Sequence, residues 1–198
     1  MRLWHRKAVF VSTLMSMVVI GTAVATSAQS GNRVTIRAIA QGTSTQLGRI
    51  VNVDIYINEF SEASEQAALL QAFMSEKSEG LVNALDKLHA KGRIALTGTV
   101  GYDLNYIRLF KMKDGSQMIR FVTDRPVRFG EVYASTRSRD YEITFGEIHV
   151  PKDRKNLTGT LMPAVRPKLD KKGEIELEAF QNPWKLTNMK VYQKQAKK

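Results

Sequence analysis

Apolar and polar residues alternate with a period of two over most of this chain, and the phase can be followed from strand to strand. Val34-Thr35-Ile36-Arg37-Ala38 is a short alternating segment. Val51, Val53, Ile55 and Ile57 then alternate with Asn52, Asp54, Tyr56 and Asn58, which predicts a half-buried strand. Between Ser61 and Gly92 the spacing becomes helical. Ala63, Ala67, Leu70 and Met74 form a stripe that Leu69 and Phe73 widen, with Ser61 placed as N-cap and Glu62 and Glu65 in the first turn. Ser78 is placed to cap a second helix with Leu81, Leu85 and Leu88 on its apolar face, and Gly92 is the closing C′ glycine. The expectation is a two-helix hairpin covering one face of a sheet.

From Arg93 onward the pattern is of strands only. Ile94 to Leu96 leads to a central hairpin with arms Tyr102–Met112 and Gln117–Thr123, and Val127 to Tyr133 leaves it. Tyr141, Ile143 and Phe145 keep one phase and Ile148 and Val150 the other, so a β-bulge is expected at Gly146. Leu157 to Leu161 is a strand stopped by Pro163 and Pro167. Ile175, Leu177 and Ala179 alternate with glutamates that Arg166 and Lys168 are placed to pair across a turn. Trp184 to Tyr192 is last. The predicted fold is α+β: a mostly antiparallel, strongly curled sheet or partial barrel of about ten strands with an inserted two-helix hairpin. Val51, Val53, Ile55, Leu70, Phe73, Leu85, Leu88, Ile143, Phe145, Ile175 and Leu177 are its expected core.

The central hairpin closes through Lys113-Asp114-Gly115-Ser116. If Asp114 and Gly115 form a two-residue loop, Phe110 faces Ile119, Arg108 faces Phe121 and Tyr106 faces Thr123. Leu109 against Arg120 and Ile107 against Val122 then make the other face. Because both faces are partly apolar, a slip of one residue would exchange them. At the end of the second arm, Thr123-Asp124-Arg125-Pro126 is a turn in which Pro126 holds Arg125 extended and pointing outward, while Asp124 accepts backbone N–H groups.

Composition adds a location. Arg2, His5, Arg6 and Lys7 precede an apolar run from Ala8 to Ile20, and Thr26-Ser27-Ala28 supplies small residues before Gln29. That is the pattern of a secretory signal peptide over residues 1–28, and it predicts a periplasmic or secreted protein without a membrane span once the leader is removed. Removing 28 of the 198 residues leaves 170, with no linker or composition break: one domain from 29 to 198, frayed after about 193. With no cysteine, disulfides, thiolate metal sites and cysteine nucleophiles are excluded. The leader carries three of the 30 bases and no acid, which leaves a net charge of about +8 on the remainder. These bases are scattered through turns and the carboxyl end, which reads as a solvated surface and not as a nucleic-acid face.

Catalytic and metal-binding patterns are sparse. His89 belongs to a helix end and His149 shares a strand face with Glu147, and there is no His-Glu-x-x-His, no Gly-x-Ser-x-Gly and no phosphate-binding glycine loop. Neither a metal nor a cofactor is expected. Asn156-Leu157-Thr158 matches a glycosylation sequon. The group with most chemical content is aromatic and basic: Tyr102, Tyr106, Arg108 and Phe121, with Asp124 and Arg125 at the end of the hairpin. Such a face suits a small amphipathic ligand with an anionic group, or an envelope protein partner, in a non-enzymatic binding module. The alternative is a hydrolase using Asp103, Asp124 or Glu131 with a nearby Arg or Tyr.

Gly101-Tyr102-Asp103-Leu104-x-Tyr106, the Asp114-Gly115 turn, Thr123-Asp124-Arg125-Pro126 and Leu186-x-Asn188 occur in the order seen in a group of exported bacterial hypothetical proteins of acidobacterial type. The chain resembles that group from about Asn52 to Lys190. The resemblance implies a single exported domain in a bacterial envelope, and it implies no activity, substrate or site.

Overall fold

The computed structural model describes residues 33–128, 140–170 and 173–194. The leader, Glu131 and the tail after Lys194 lie outside the described residues, as does most of the strand expected from Val127 to Tyr133. Its described beginning, Val127 and Arg128, is not in a strand.

Ten strands and one helical element follow in the order β1 (Arg33–Gln41), β2 (Ile50–Ile57), α1 (Ala63–Asp86), β3 (Gly92–Leu96), β4 (Tyr102–Leu104), β5 (Tyr106–Lys111), β6 (Gln117–Val122), β7 (Ile143–Val150), β8 (Thr158–Leu169), β9 (Ile175–Ala179) and β10 (Trp184–Lys194). All the pairings are antiparallel. The sheet runs β4-β3-β2-β1-β10-β8-β7-β6-β5, with β9 on β8. The two ends of that path, β4 and β5, are separated in the chain by Asn105 alone. Leu104 still accepts from Lys91 N–H at 2.8 Å, and Asn105 N–H already donates to Val122 at 3.2 Å. One bent strand therefore serves both ends, and the sheet is nearly closed and barrel-like. Ile36, Ile55, Ile94, Ile107, Phe121 and Trp184 meet in its filled interior, each at most 1% exposed. Of the expected core, Val53, Ile55, Phe73, Leu85, Ile143 and Phe145 are buried, and the other five are half-buried.

The central hairpin is one residue out of the expected register. Met112 N–H donates to Ser116 at 2.9 Å and Gly115 N–H to Met112 at 3.1 Å, so the loop has three residues and ends on Gly115 at φ +85°. The Asp114 carboxylate fixes that loop by accepting the Ser116 N–H and hydroxyl. A three-residue loop with a left-handed glycine is the next commonest hairpin after the two-residue one. The pairs are consequently Ile107–Phe121 and Leu109–Ile119 toward the barrel interior, and Tyr106–Val122, Arg108–Arg120 and Phe110–Met118 on the outer face.

The bulge expected at Gly146 is displaced. The β6–β7 ladder runs regularly through Gly146, while the β7–β8 register shifts between Ile143 and Phe145. The extra residue lies on β8, at Pro163-Ala164 opposite Thr144, whose hydroxyl donates to Pro163 O at 2.7 Å and accepts Val127 N–H at 2.7 Å. Gly146 serves another purpose: a Cβ there would stand 2.0 Å from the Phe121 ring, so only glycine leaves room for it. The prolines do not end β8 either. Pro163 falls in the bulge and Pro167 where β8 pairs with β9 alone, positions that tolerate a missing N–H. Beyond the bulge β8 leaves the barrel wall, and the β8–β9 hairpin carries the expected ion pairs, Arg166–Glu178 at 3.2 Å and Lys168 with Glu176 and Glu178.

Where a two-helix hairpin was expected there is one helical element, Ala63–Asp86, with a sharp break inside it. Glu76 (φ −125°) and Lys77 (φ +57°) leave helical geometry, and a Cβ on Gly80 would lie 2.5 Å from Ala72 O, eight residues earlier. A straight helix would separate those positions by about 12 Å along its axis, so the chain folds sharply at the break. The Ser78 hydroxyl donates to Pro167 O at 3.1 Å. Ser61 is not the N-cap of α1. It bridges to β5, with its N–H on Ile107 O (2.6 Å) and its Oγ accepting Ile107 N–H (3.1 Å). The N-cap is Glu62, whose N–H is taken by Glu65 at 2.8 Å. Leu69 and Phe73 form the buried stripe, and Met74 is exposed.

A buried lysine ties this helix start to the barrel. Lys91 Nζ lies 2.9 Å from both Glu59 and Glu65, with His89 hydrogen-bonded to Glu59 beside it. Burial works against the Lys91 charge, but the hydrogen bonds to Glu65 and Glu59 outweigh it and hold the ammonium above its ordinary value.

Candidate functional site

The outer face of β5 and β6 lies beneath α1 and the β8–β9 hairpin. Leu69, Leu85, Tyr106, Ile143, Phe145 and Val165 make a second apolar cluster there, separate from the barrel interior. Its packing is incomplete. A cavity of about 190 Å³ remains between Leu69, Phe73 and Leu85 of the helix, Leu177 of β9, and the Tyr106 and Phe110 side chains of β5. Arg120 also borders it.

The polar end of this cavity follows from the hairpin register. Arg108 and Arg120 are directly opposite one another, and both guanidinium groups flank the Phe110 ring, at 5.9 and 5.3 Å from its centroid. Like charges in that position repel, and cation–π contact offsets only part of the cost. Glu147, opposite Arg120 on β7, pairs with it at 2.7 Å. Arg108 has no carboxylate partner among the described residues; its Nη1 reaches Ser61 O at 3.4 Å. Around Arg120, which alone of the three borders the cavity, there are thus two cations against one anion. Beside it stands Tyr106, 8% exposed, whose hydroxyl burial pushes up to about 12 although the charges of Arg108 and Arg120 act the other way. At neutral pH the phenol is an un-ionised donor.

Of the six residues expected to form a site, the structure brings Tyr106 and Arg108 together and disperses the rest. Phe121 lies in the barrel interior, on the opposite face of β6, because of the one-residue register difference. Tyr102 packs partly on the same interior cluster, and its hydroxyl accepts Arg128 N–H at 3.2 Å. Asp124 and Arg125 form a pair at the end of β6, with Arg125 Nε 3.0 Å from Asp124 Oδ1. The Asp124 carboxylate is therefore occupied by its neighbour's guanidinium, and it is Asp124 N–H that bonds outward, to Asn105 Oδ1 at 3.2 Å. Hydrogen bonding to Asp124 raises the Arg125 pKa above its ordinary value. Arg120 and the helix residues of the cavity were not expected in a site. Pairing Met112 with Ser116 would have brought Arg120 to the same face as Arg108.

Asp103 is engaged by Arg93 at 3.2 Å, and Glu147 by Arg120 rather than by His149. No group of three His, Cys, Asp or Glu side chains able to hold a metal occurs among the described residues. No helix among them is long and apolar enough to cross a membrane. The chain matches no family model, no curated protein and no solved structure.

Proposed function

We propose that this protein is an exported, non-enzymatic binding module of the cell envelope that holds a small amphipathic carboxylate between α1 and the outer face of the barrel. One observation carries the reading: an apolar cavity bordered by the Arg120 guanidinium and the un-ionised Tyr106 phenol, with a second guanidinium, Arg108, directly across the strand pair from Arg120. The body of the ligand occupies the cavity. Its carboxylate meets the Arg120 guanidinium at the cavity's edge, on the side of Arg108, where it offsets their repulsion and accepts charge-assisted hydrogen bonds. An enclosed apolar cavity of roughly 150 Å³ accepts benzene, so the 190 Å³ here, open on one side, takes a hydrocarbon of about that size or a little more. The hydrolase alternative has less support, since Asp103 and Asp124 are each held by a separate arginine.

Isothermal titration of the full chain with octanoate tests this. A hydrogen bond to a charged group contributes about 1.5–3 kcal/mol, so Arg108→Gln should weaken binding by about tenfold or more, while removing a repelled charge leaves stability equal or higher. Equal octanoate affinity in the wild type and Arg108→Gln, or no binding by the wild type, would refute the reading.

A further inference from the structure

The inner cavity is closed at one side by a wall that is also the wall of something else. Phe73, 1% exposed, lines the cavity and also an open cleft of about 540 Å³, and Pro167 lines both as well. On the cleft side Leu169 continues the apolar surface, and the charged neighbours are Lys77, Glu79, Glu142, Arg166 and Lys168. A single layer of side chains therefore separates an apolar pocket from a solvent-open cleft rimmed by charged side chains.

That layer is held in place locally. Phe73 sits one turn before the break at Glu76–Lys77, where Lys77 occupies φ +57°. Just after the break, the Ser78 hydroxyl is bonded to Pro167 O at 3.1 Å, tying the two wall residues' segments to each other. The wall is distinct from the arginine end, since Arg120 lines the cavity and no part of the cleft.

We infer that Phe73 is the residue that sets ligand length: a straight-chain carboxylate anchored at Arg120, with Arg108 adding its charge from across the strand pair, runs through the cavity until its terminal methyl meets the Phe73 ring. This rests on the reading of the cavity as a carboxylate site and adds a ruler to it. A chain longer than the cavity must push Phe73 toward the charged cleft or leave carbons in water, so affinity rises with each carbon up to the wall and then falls. Shortening the side chain at position 73 opens the cavity into the cleft and removes the limit. The Lys168 and Arg166 stems can then cover the added methylenes.

The experiment is titration of the full chain with the series hexanoate, octanoate, decanoate, dodecanoate and tetradecanoate. It is run on the wild type, on Phe73→Ala, and on the milder Phe73→Leu, which keeps an apolar side chain if the alanine variant fails to fold. Circular dichroism and a thermal melt confirm that each variant is folded. The wild type is expected to bind best near octanoate, and Phe73→Leu, which frees room for about one carbon, to raise decanoate affinity relative to octanoate. Phe73→Ala should go further, with at least a tenfold gain for dodecanoate relative to octanoate. A decanoate-to-octanoate preference that stays in place in a folded Phe73→Leu overturns the ruler and leaves the carboxylate site standing. Absence of binding by the wild type at every length overturns both.

Discussion

Lys91→Met isolates the contact that anchors the helix to the barrel. Lys91 is 5% exposed, and its ammonium bridges Glu59, from the segment after β2, and Glu65, in the first helical turn. Methionine keeps much of the apolar stem and removes the charge, leaving two carboxylates without their cation. Breaking a buried pair costs about 3–5 kcal/mol and an exposed one about 0–1. The Glu65 side chain is 19% exposed and that of Glu59 44%, so the cost lies between these limits, about 2–3 kcal/mol. For a domain of this size that lowers the melting temperature by about 4–12 °C. The pH dependence distinguishes lost charge pairing from lost packing. Hydrogen bonding and charge from Lys91 hold Glu59 below its ordinary 4.5, and for Glu65 the same contacts outweigh burial. Their contribution is whole above that value and is lost as pH falls through the folded pKa values. The Lys91 contribution is whole below its ordinary 10.5 and is lost as pH rises through its raised folded pKa. Urea titrations of both proteins should therefore show a gap that is constant from about pH 5 to about pH 10 and narrows toward about pH 3, where the carboxylates are being neutralised. A gap of unchanged size at the acid end would mean that the loss is one of packing, and the electrostatic account would be wrong.

Gly146→Ala should destabilise by about 3 kcal/mol or more, read as a shift in urea midpoint, because its Cβ would meet a Phe121 ring that is fully enclosed; an unchanged midpoint would contradict the close approach. Arg125→Ala should cost about 1–3 kcal/mol, as much as Asp124→Ala, since the Asp124 side chain is only 6% exposed and loses its partner; a silent Arg125→Ala would restore the outward-pointing Arg125 expected from the turn sequence. Alkaline difference spectroscopy should show a tyrosine ionising near 12 that Tyr106→Phe removes, and a spectrum unaltered by that substitution would place the Tyr106 phenol in water.

What could be read in the sequence was the part governed by neighbours in the chain. Val53, Ile55 and Ile57 face the core as their alternation says, and Arg166 meets Glu178 across its turn. The hairpin arms were legible but their register was not. Asp-Gly suits both a two-residue and a three-residue loop, and alternation could not arbitrate because both faces of β5 are covered, Ile107 by the barrel interior and Tyr106 by the helix. Gly146 and Pro167 show the same limit in another form. A glycine that makes space for a distant ring and a proline on a singly paired strand look, in one dimension, like a bulge and a stop.

The register error also displaced the site, and the physical reason bears on function. With Arg108 placed opposite Phe121, a cation–π pair would have accounted for the arginine as a core-rim residue. Placed opposite Arg120, it has an unfavourable partner and no carboxylate of its own among the described residues, and that partner borders an incompletely filled apolar pocket. Neither feature stabilises the fold: like charges across a strand pair oppose folding, and unfilled apolar volume forfeits packing. Each is made good by the same addition, a molecule that brings an anion to the arginines and hydrocarbon to the void. That two local costs on one face share one remedy is the argument for a ligand here, and it depends on the register alone.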